Sequence, residues 1–290
     1  MSIRLVIPLT LAKNKKSMEK FSVLMSVYQK EKPEFFDLSL KSNLIDQTLT
    51  PNEFVLVCDG DLTPQLEEII EKYKRLCPDI LKVYRKENGG LGKALNFGLP
   101  KCSYPLVARS DSDDVCANTR FEKQVAYMEQ HPEVGIISSY IDEFSDDWMK
   151  PIHIKTLPLT HDELYEMAKF RCPLNHMSVM MRKDDILRIG SYRHIPYIED
   201  YELWVRAMIN NIKIGNVGDV LVHARIGNGM VQRRGTKKYI KSWHLMNKDM
   251  IKAGMIGYCT YLRNMLAITA FVFMPVKLKE FLYKKVLRKE

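Results

Sequence analysis

Asp111, Asp113 and Asp114 stand directly after a short apolar run, in the stretch YPLVARSDSDDV over residues 104–115. Strand ends are where open α/β sheets place their ligands. Two carboxylates one residue apart at such an end, Asp111 and Asp113, can aim oxygens at one hard divalent cation, Mn2+ or Mg2+, which in turn can hold the phosphates of a nucleotide. The cation matters, because like charges about 4 Å apart repel by about 1 kcal/mol in water and about 4 kcal/mol near a protein surface. Bare carboxylates would reject a diphosphate. Taken alone, the same string also reads as a solvated acidic loop that caps the next helix. The rest of the chain decides between the two.

The composition is that of a globular protein: 290 residues, 46% hydrophobic and 27% charged, enough for one large core or two modest ones. The six cysteines are scattered without a C-x-x-C spacing, which argues against a zinc site and a disulfide framework and fits a reducing, cytoplasmic setting. Residues 1–11 are apolar but lack a small-residue cleavage pattern, so residues 1–20 read as a leading segment and not an export signal. The net charge is +9, and from residue 261 onward seven basic residues face two acidic ones. Just inside that tail, residues 264–276 hold 13 consecutive uncharged positions, too few for the roughly 20 that span a bilayer. The expectation is a C-terminal region, residues 236–290, that lies on an anionic membrane surface, with basic flanks meeting lipid headgroups. This puts the chain peripherally on the inner face of the cell membrane. No aromatic and basic interleaving points to nucleic acid as a partner.

The elements that must position the aspartates follow a βα rhythm. Residues 21–28 (FSVLMSVY) read as a buried strand, and Pro33 opens a helix with Phe36, Leu40 and Leu44 on one face. Residues 54–58 (FVLVC) form a second strand ending at Asp59-Gly60, and Thr63-Pro64 start a second helix. A third strand over residues 80–84 runs into the loop NGGLG and a short helix around Lys93. The strand over 106–108 then delivers the acidic cluster, a helix carries Phe121, Val125 and Met128, and residues 134–138 make another buried strand. Such alternation gives an α/β fold with a doubly wound, mostly parallel sheet and its cleft at the carboxyl ends of the strands. Asp59 and Asp111 fall on one rim. Neither a Gly-x-Gly-x-x-Gly nor a P-loop occurs, so the nucleotide is held another way. Beyond residue 140 the alternation loosens: residues 175–181 (NHMSVMM) read as a strand, Ile198-Glu199-Asp200 precede an amphipathic helix, and residues 236–253 form a helix that Gly254 stops.

These residues, in this order, resemble the nucleotide-sugar-dependent family-2 glycosyltransferases of the GT-A fold, especially bacterial capsule, exopolysaccharide and O-antigen enzymes of the amylovoran-biosynthesis type. SVLMSVY at 22–28 is similar to the family's opening strand, and Gln47-Thr48 to the end of its first helix. Cys58-Asp59-Gly60 stands where the family has two acidic residues, the second of which is kept. Arg109, Asp111, Asp113, Asp114, Arg120 and Gln124 match the family's Arg-x-Asp-x-Asp-Asp region and the helix after it. His176, the EDYELW string from Glu199, Arg225 and Arg233-Arg234 complete the set. The likeness implies a GT-A domain over residues 21–235, with a nucleotide-sugar half at 21–120 and an acceptor half at 121–235. It implies a donor, a UDP-sugar in first place, held by Ser26, Tyr28, Asp59 against the uracil ring, Lys93, Arg109, Asp111, Asp113, His176 and a clamp of Arg233 and Arg234. Asp113, with Asp111 helping, would hold the metal. Asp200, with Glu199 as the fallback, would be the base that activates a hydroxyl of a glycan or lipid-linked oligosaccharide acceptor, with inversion at the anomeric carbon. The oligomeric state is not legible.

Three rivals stand beside this reading. Asp111-Ser112-Asp113-Asp114-Val115 fits the Asp-x-Asp signature of a phosphatase or phosphotransferase, although Arg109-Ser110 interrupt the apolar strand that such a nucleophile follows. A nucleotidyltransferase would need a Gly-rich basic loop after the first strand, which is missing. A catalytically inactive membrane-bound adaptor would keep the fold and bind neither metal nor nucleotide sugar.

Overall fold

The computed structural model describes residues 18–227 and 236–275. The chain opens with three βα units: β1 (Phe21–Val27) and α1 (Pro33–Leu44), β2 (Glu53–Asp59) and α2 (Pro64–Leu76), β3 (Leu81–Lys86) and α3 (Leu91–Gly98). β4 (Leu106–Ser110) follows, and the four strands lie parallel in the order β3-β2-β1-β4. β2 and β4 are buried at every position, as strands covered by helices on both faces must be. Their side chains part with period two. Val23, Met25, Leu56 and Ala108 join Phe36, Leu40 and Leu66 under α1 and α2. Leu24, Val55, Val57 and Val107 join Ala94 and Leu95 of α3. Gly98 lets α3 lie close on the sheet, because a Cβ there would stand 2.6 Å from Leu24 Cδ1.

The second half breaks the parallel rule. β5 (Val115–Cys116), α4 (Arg120–Gln130), β6 (Val134–Phe144) and β7 (His153–Lys155) come next, then α5 (His161–Ala168), β8 (Met180–Arg182), α6 (Lys183–Arg188), α7 (Glu199–Ile209) and β9 (Lys213–Arg225). β8 inserts antiparallel between β4 and β6, β9 runs parallel to β6, and β5 pairs antiparallel with the end of β9. The nine described strands thus form one mixed sheet.

Two local expectations need correction. Residues 175–181 are not one strand: a 3-10 turn over His176–Ser178 precedes the three-residue β8. Ser178 Oγ donates to Asn175 O at 3.0 Å and accepts the Ser139 N–H at 3.0 Å, and such short side-chain bonds to backbone compete with ladder pairing. α1 ends at Leu44, short of Gln47-Thr48, because the Gln47 amide turns back to donate to Ser42 O at 2.7 Å and to Ala117 O at 2.9 Å.

Two helices close the described chain, α8 (Lys237–Lys252) and α9 (Tyr258–Phe273). α8 buries Tyr239, Trp243, Met246 and Met250 and ends before Gly254, whose φ of 71° suits glycine. Among the described residues no helix is long and apolar enough to cross a membrane.

Candidate active site

The period-two alternation of β4 aims Arg109, like Val107, at the α3 and α7 side of the sheet, where it is 1% exposed. There its guanidinium grips the Asp111 carboxylate in a two-pronged pair, Nη1 to Oδ2 at 2.6 Å and Nη2 to Oδ1. Burial works against the Arg109 charge, yet the Asp111 carboxylate beside it holds the guanidinium firmly protonated, above its ordinary range. The chain then turns through Asp113 and Asp114 into β5. Oxygens of Asp111, Asp113 and Asp114 lie within 4.8 Å of one another.

The far side of this cluster is built by β9, 111 residues away. The Arg225 backbone N–H donates to Asp114 Oδ1 at 2.8 Å, and Arg225 Nε donates to Asp113 O at 3.1 Å. The Arg225 guanidinium lies 3.6 Å from the Phe35 ring centre and 4.5 Å from that of Phe144, which fixes its direction. Burial, with Asp113 and Asp111 beside it, pushes the Asp114 carboxyl well above the carboxylate range. Asp111 is thus paired with Arg109, Asp114 is held toward its neutral form, and the oxygens of all three aspartates converge at the end of β4. A converging all-oxygen carboxyl set is the donor chemistry of Mg2+ or Mn2+, so the residues present fit such an ion.

On the same rim, the Asp59 carboxylate at the end of β2 organises the loop before α3. It accepts the Gly89 N–H at 2.9 Å, the Gly90 N–H at 2.8 Å and the Lys86 ammonium at 2.6 Å. Ser26 is half-buried and Tyr28 exposed at the end of β1, next to β4, and Lys93 is exposed in the first turn of α3.

The third wall is α7. Glu199 and Asp200 are half-buried in its first turn, where the helix dipole favours anionic carboxylates. The N-termini of α3 and α7 abut: a Cβ on Gly92 would stand 2.9 Å from Glu199 Cγ. Buried Tyr192 places its hydroxyl 3.0 Å from Nε2 of His176 in the 3-10 turn before β8. Burial first, then the Asp200 and Asp111 charges, raise the Tyr192 phenol above its ordinary range, while Arg109 acts in the opposite sense. The hydroxyl thus feels the Asp111 and Asp200 carboxylates together. Burial and Arg109 push the His176 imidazole well below its usual value, so this ring is neutral.

The family model described as Glycosyl transferase family 2 matches residues 22–189. The chain belongs to that family. This family-2 glycosyltransferase is 41% identical over 265 residues to the amylovoran biosynthesis glycosyltransferase AmsE of Erwinia amylovora, covering 91% of the chain and 98% of the relative. It is 34% identical over 270 residues to the UDP-Gal:alpha-D-GlcNAc-diphosphoundecaprenol beta-1,3-galactosyltransferase of Escherichia coli, covering 93% and 97%. Among solved structures, S. aureus TarS in complex with UDP-GlcNAc superposes with a TM-score of 0.65 at 19% identity, over 93% of this chain and 76% of that one. A mannosyltransferase of Pyrobaculum calidifontis in complex with GDP-Man and Mn2+ gives a TM-score of 0.61 at 15% identity, over 90% and 72%. These likenesses establish the GT-A fold.

Of the anticipated site residues, the glycosyltransferase brings Arg109, Asp111, Asp113 and His176 into one cluster, with Asp200 close enough to act electrostatically on Tyr192 beside His176. Arg233 and Arg234 lie outside the described residues. Tyr192 and Glu31, whose carboxylate accepts the Ser112 hydroxyl at 2.5 Å, had no sequence signal. Arg225 was matched only as part of the family pattern, and its aspartate partners become visible only once β9 is folded.

Proposed function

We propose that this glycosyltransferase moves a sugar from a nucleotide sugar, a UDP-sugar in first place, to a hydroxyl of a glycan or lipid-linked oligosaccharide in bacterial surface polysaccharide synthesis. Work on such an acceptor suits the inner face of the cell membrane. The observation that carries the proposal is the three-aspartate oxygen cluster at the end of β4, close enough to Tyr192 that its hydroxyl feels both Asp111 and Asp200 of α7. The AmsE and galactosyltransferase relatives, matched over nearly their whole length, support the acceptor class and UDP.

Asp113, assisted by Asp111, would hold a divalent cation, Mn2+ or Mg2+, which when bound offsets charge growing on the leaving diphosphate. Arg109 holds Asp111 in place and supplies a buried positive charge beside the phosphates. Asp200 takes the proton of the attacking hydroxyl, a step that typically contributes a factor of about 10² to 10⁴, and Glu199 is the alternative base. Attack from the face opposite the leaving group inverts the anomeric carbon. Neutral His176 offers a ring nitrogen to the Tyr192 hydroxyl and adds no positive charge. The phosphatase reading is disfavoured by the same geometry, because both oxygens of its required nucleophile, Asp111, are held by Arg109.

The test pairs two variants. Asp113→Ala should abolish Mn2+-dependent UDP binding by calorimetry, whereas Asp200→Asn should bind UDP normally and fail to transfer sugar. An Asp113→Ala protein that binds UDP with Mn2+ as tightly as the parent would sink the assignment.

A further inference from the structure

α9 presents an apolar stripe to solvent where a surface helix should be polar. Tyr258 is 72% exposed, Leu262 56%, Leu266 71% and Phe273 68%. Steps of four, four and seven residues put all of them on one side of the helix. The opposite side is fixed to the protein: Asn264 is buried, and its amide donates to Lys169 O at 2.8 Å and to Asn247 Oδ1 on α8 at 2.9 Å. The outward direction of the stripe is therefore set by the fold. α9 contains no acidic residue, and its single cation, Arg263, has its guanidinium 3.7 Å from the centre of the Phe170 ring.

We propose that this face of α9 lies in the headgroup region of an anionic bilayer, with the helix axis along the membrane plane. A helix of 16 residues reaches about 24 Å, short of the roughly 30 Å hydrocarbon core. It can lie in the interface and cannot cross it. Charge selects the occupant. The adjoining α8 carries five lysines against one aspartate, and Lys237, Lys238, Lys241, Lys248 and Lys252 are all exposed. The sequence after α9 adds six basic residues against two acidic ones. An excess of one sign on the adjoining helix and in the sequence that follows disfavours a second copy of the chain as the occupant, and favours phosphate headgroups.

The experiment uses the full chain and flotation with vesicles of phosphatidylcholine alone or mixed with phosphatidylglycerol. The parent should float with the mixed vesicles, and high salt should weaken the binding. Leu262→Glu with Leu266→Glu should lower it by at least about tenfold, since both side chains lose their apolar contact. Lys241→Gln with Lys248→Gln should weaken binding only to the phosphatidylglycerol mixture. Melting curves and UDP titration report that the variants stay folded. The proposal falls if the leucine variant floats like the parent, or if the parent ignores both vesicle types and sediments as a dimer that the leucine substitutions dissociate.

Discussion

Asp59→Asn is a sharp test of how the nucleotide rim is held together. The Asp59 side chain is 6% exposed and its Lys86 partner 16%. Two oxygens there receive two glycine N–H groups and one ammonium. Asparagine keeps the size but only one acceptor oxygen, so whichever way the amide turns, Gly89 or Gly90 loses its partner. Gly89 is half-buried and Gly90 exposed, so losing one of these bonds costs about 1 kcal/mol, and losing the charge weakens the bonds that remain, for a total of about 1–2 kcal/mol. In a chain of this size that corresponds to a Tm lower by about 2–6 °C. Because the loss is confined to the loop before α3, amide hydrogen exchange over residues 86–92 should accelerate more than in β1 or β2. If Asp59 also meets the uracil ring, UDP affinity falls as well. Differential scanning fluorimetry with exchange mass spectrometry reads both effects. A variant that melts within about 1 °C of the parent, with unchanged exchange in the loop, would refute the organising role argued here.

Arg225→Met should destabilise the fold by about 1–2 kcal/mol, through the lost bond to Asp113 O and the lost stack on Phe35. With one cation gone from beside Asp113 and Asp114, nucleotide-free affinity for Mn2+ should rise by calorimetry, and a fall would count against Arg225 acting on the cluster by charge. His176 predicts an acid sensitivity whose sign is fixed. Its folded pKa lies well below the ordinary 6.5, so as pH falls past 6.5 the unfolded chain takes up a proton that the folded chain refuses. Stability is then lost, at up to about 1.4 kcal/mol per pH unit for this one group. His176→Asn should flatten that slope in urea melts at pH 7.5, 6.5 and 5.5. The raised Asp114 pKa works in the opposite direction and cancels in the comparison of parent with variant. Identical slopes in the two proteins would exclude His176 as the source.

The parallel half was legible because its strands are buried on both faces and so appear as unbroken apolar runs, FSVLMSV and EFVLVCD. Its turn residues also agree with the structure: Pro33 starts α1, and Thr63 Oγ1 accepts the Leu66 N–H at the start of α2. β9 was illegible for the converse reason. KIGNVGDVLVHAR mixes glycines, charges and valines, and its register against β6 shifts between Ser139 and Tyr140 and again before Ile141, so no simple period survives. The acidic triplet announced itself because it needs an explanation wherever it occurs. Its partners did not: Arg225 and Tyr192 have ordinary sequence surroundings, and only long-range pairing makes them neighbours of Asp114 and Asp200. Asp59 was placed on the correct rim, whereas its three bonds to the loop before α3 depend on a backbone path that composition does not encode.

The first turn of α7 is mounted on the same packed core as the outermost helix. Tyr201, one residue after Asp200, meets Trp243 of α8 edge-on at 5.4 Å, and Asn247 of α8 bonds Asn264 of α9. No linker intervenes among these described contacts, so whatever α9 rests on sits at one fixed height beneath the carboxylates. Such a rigid stand-off works as a ruler. On the membrane proposal above, a tethered acceptor whose terminal sugar ends short of that height could not be reached by tilting a hinge, and one that overshoots would have to fold back, so acceptor length would be selected alongside sugar identity.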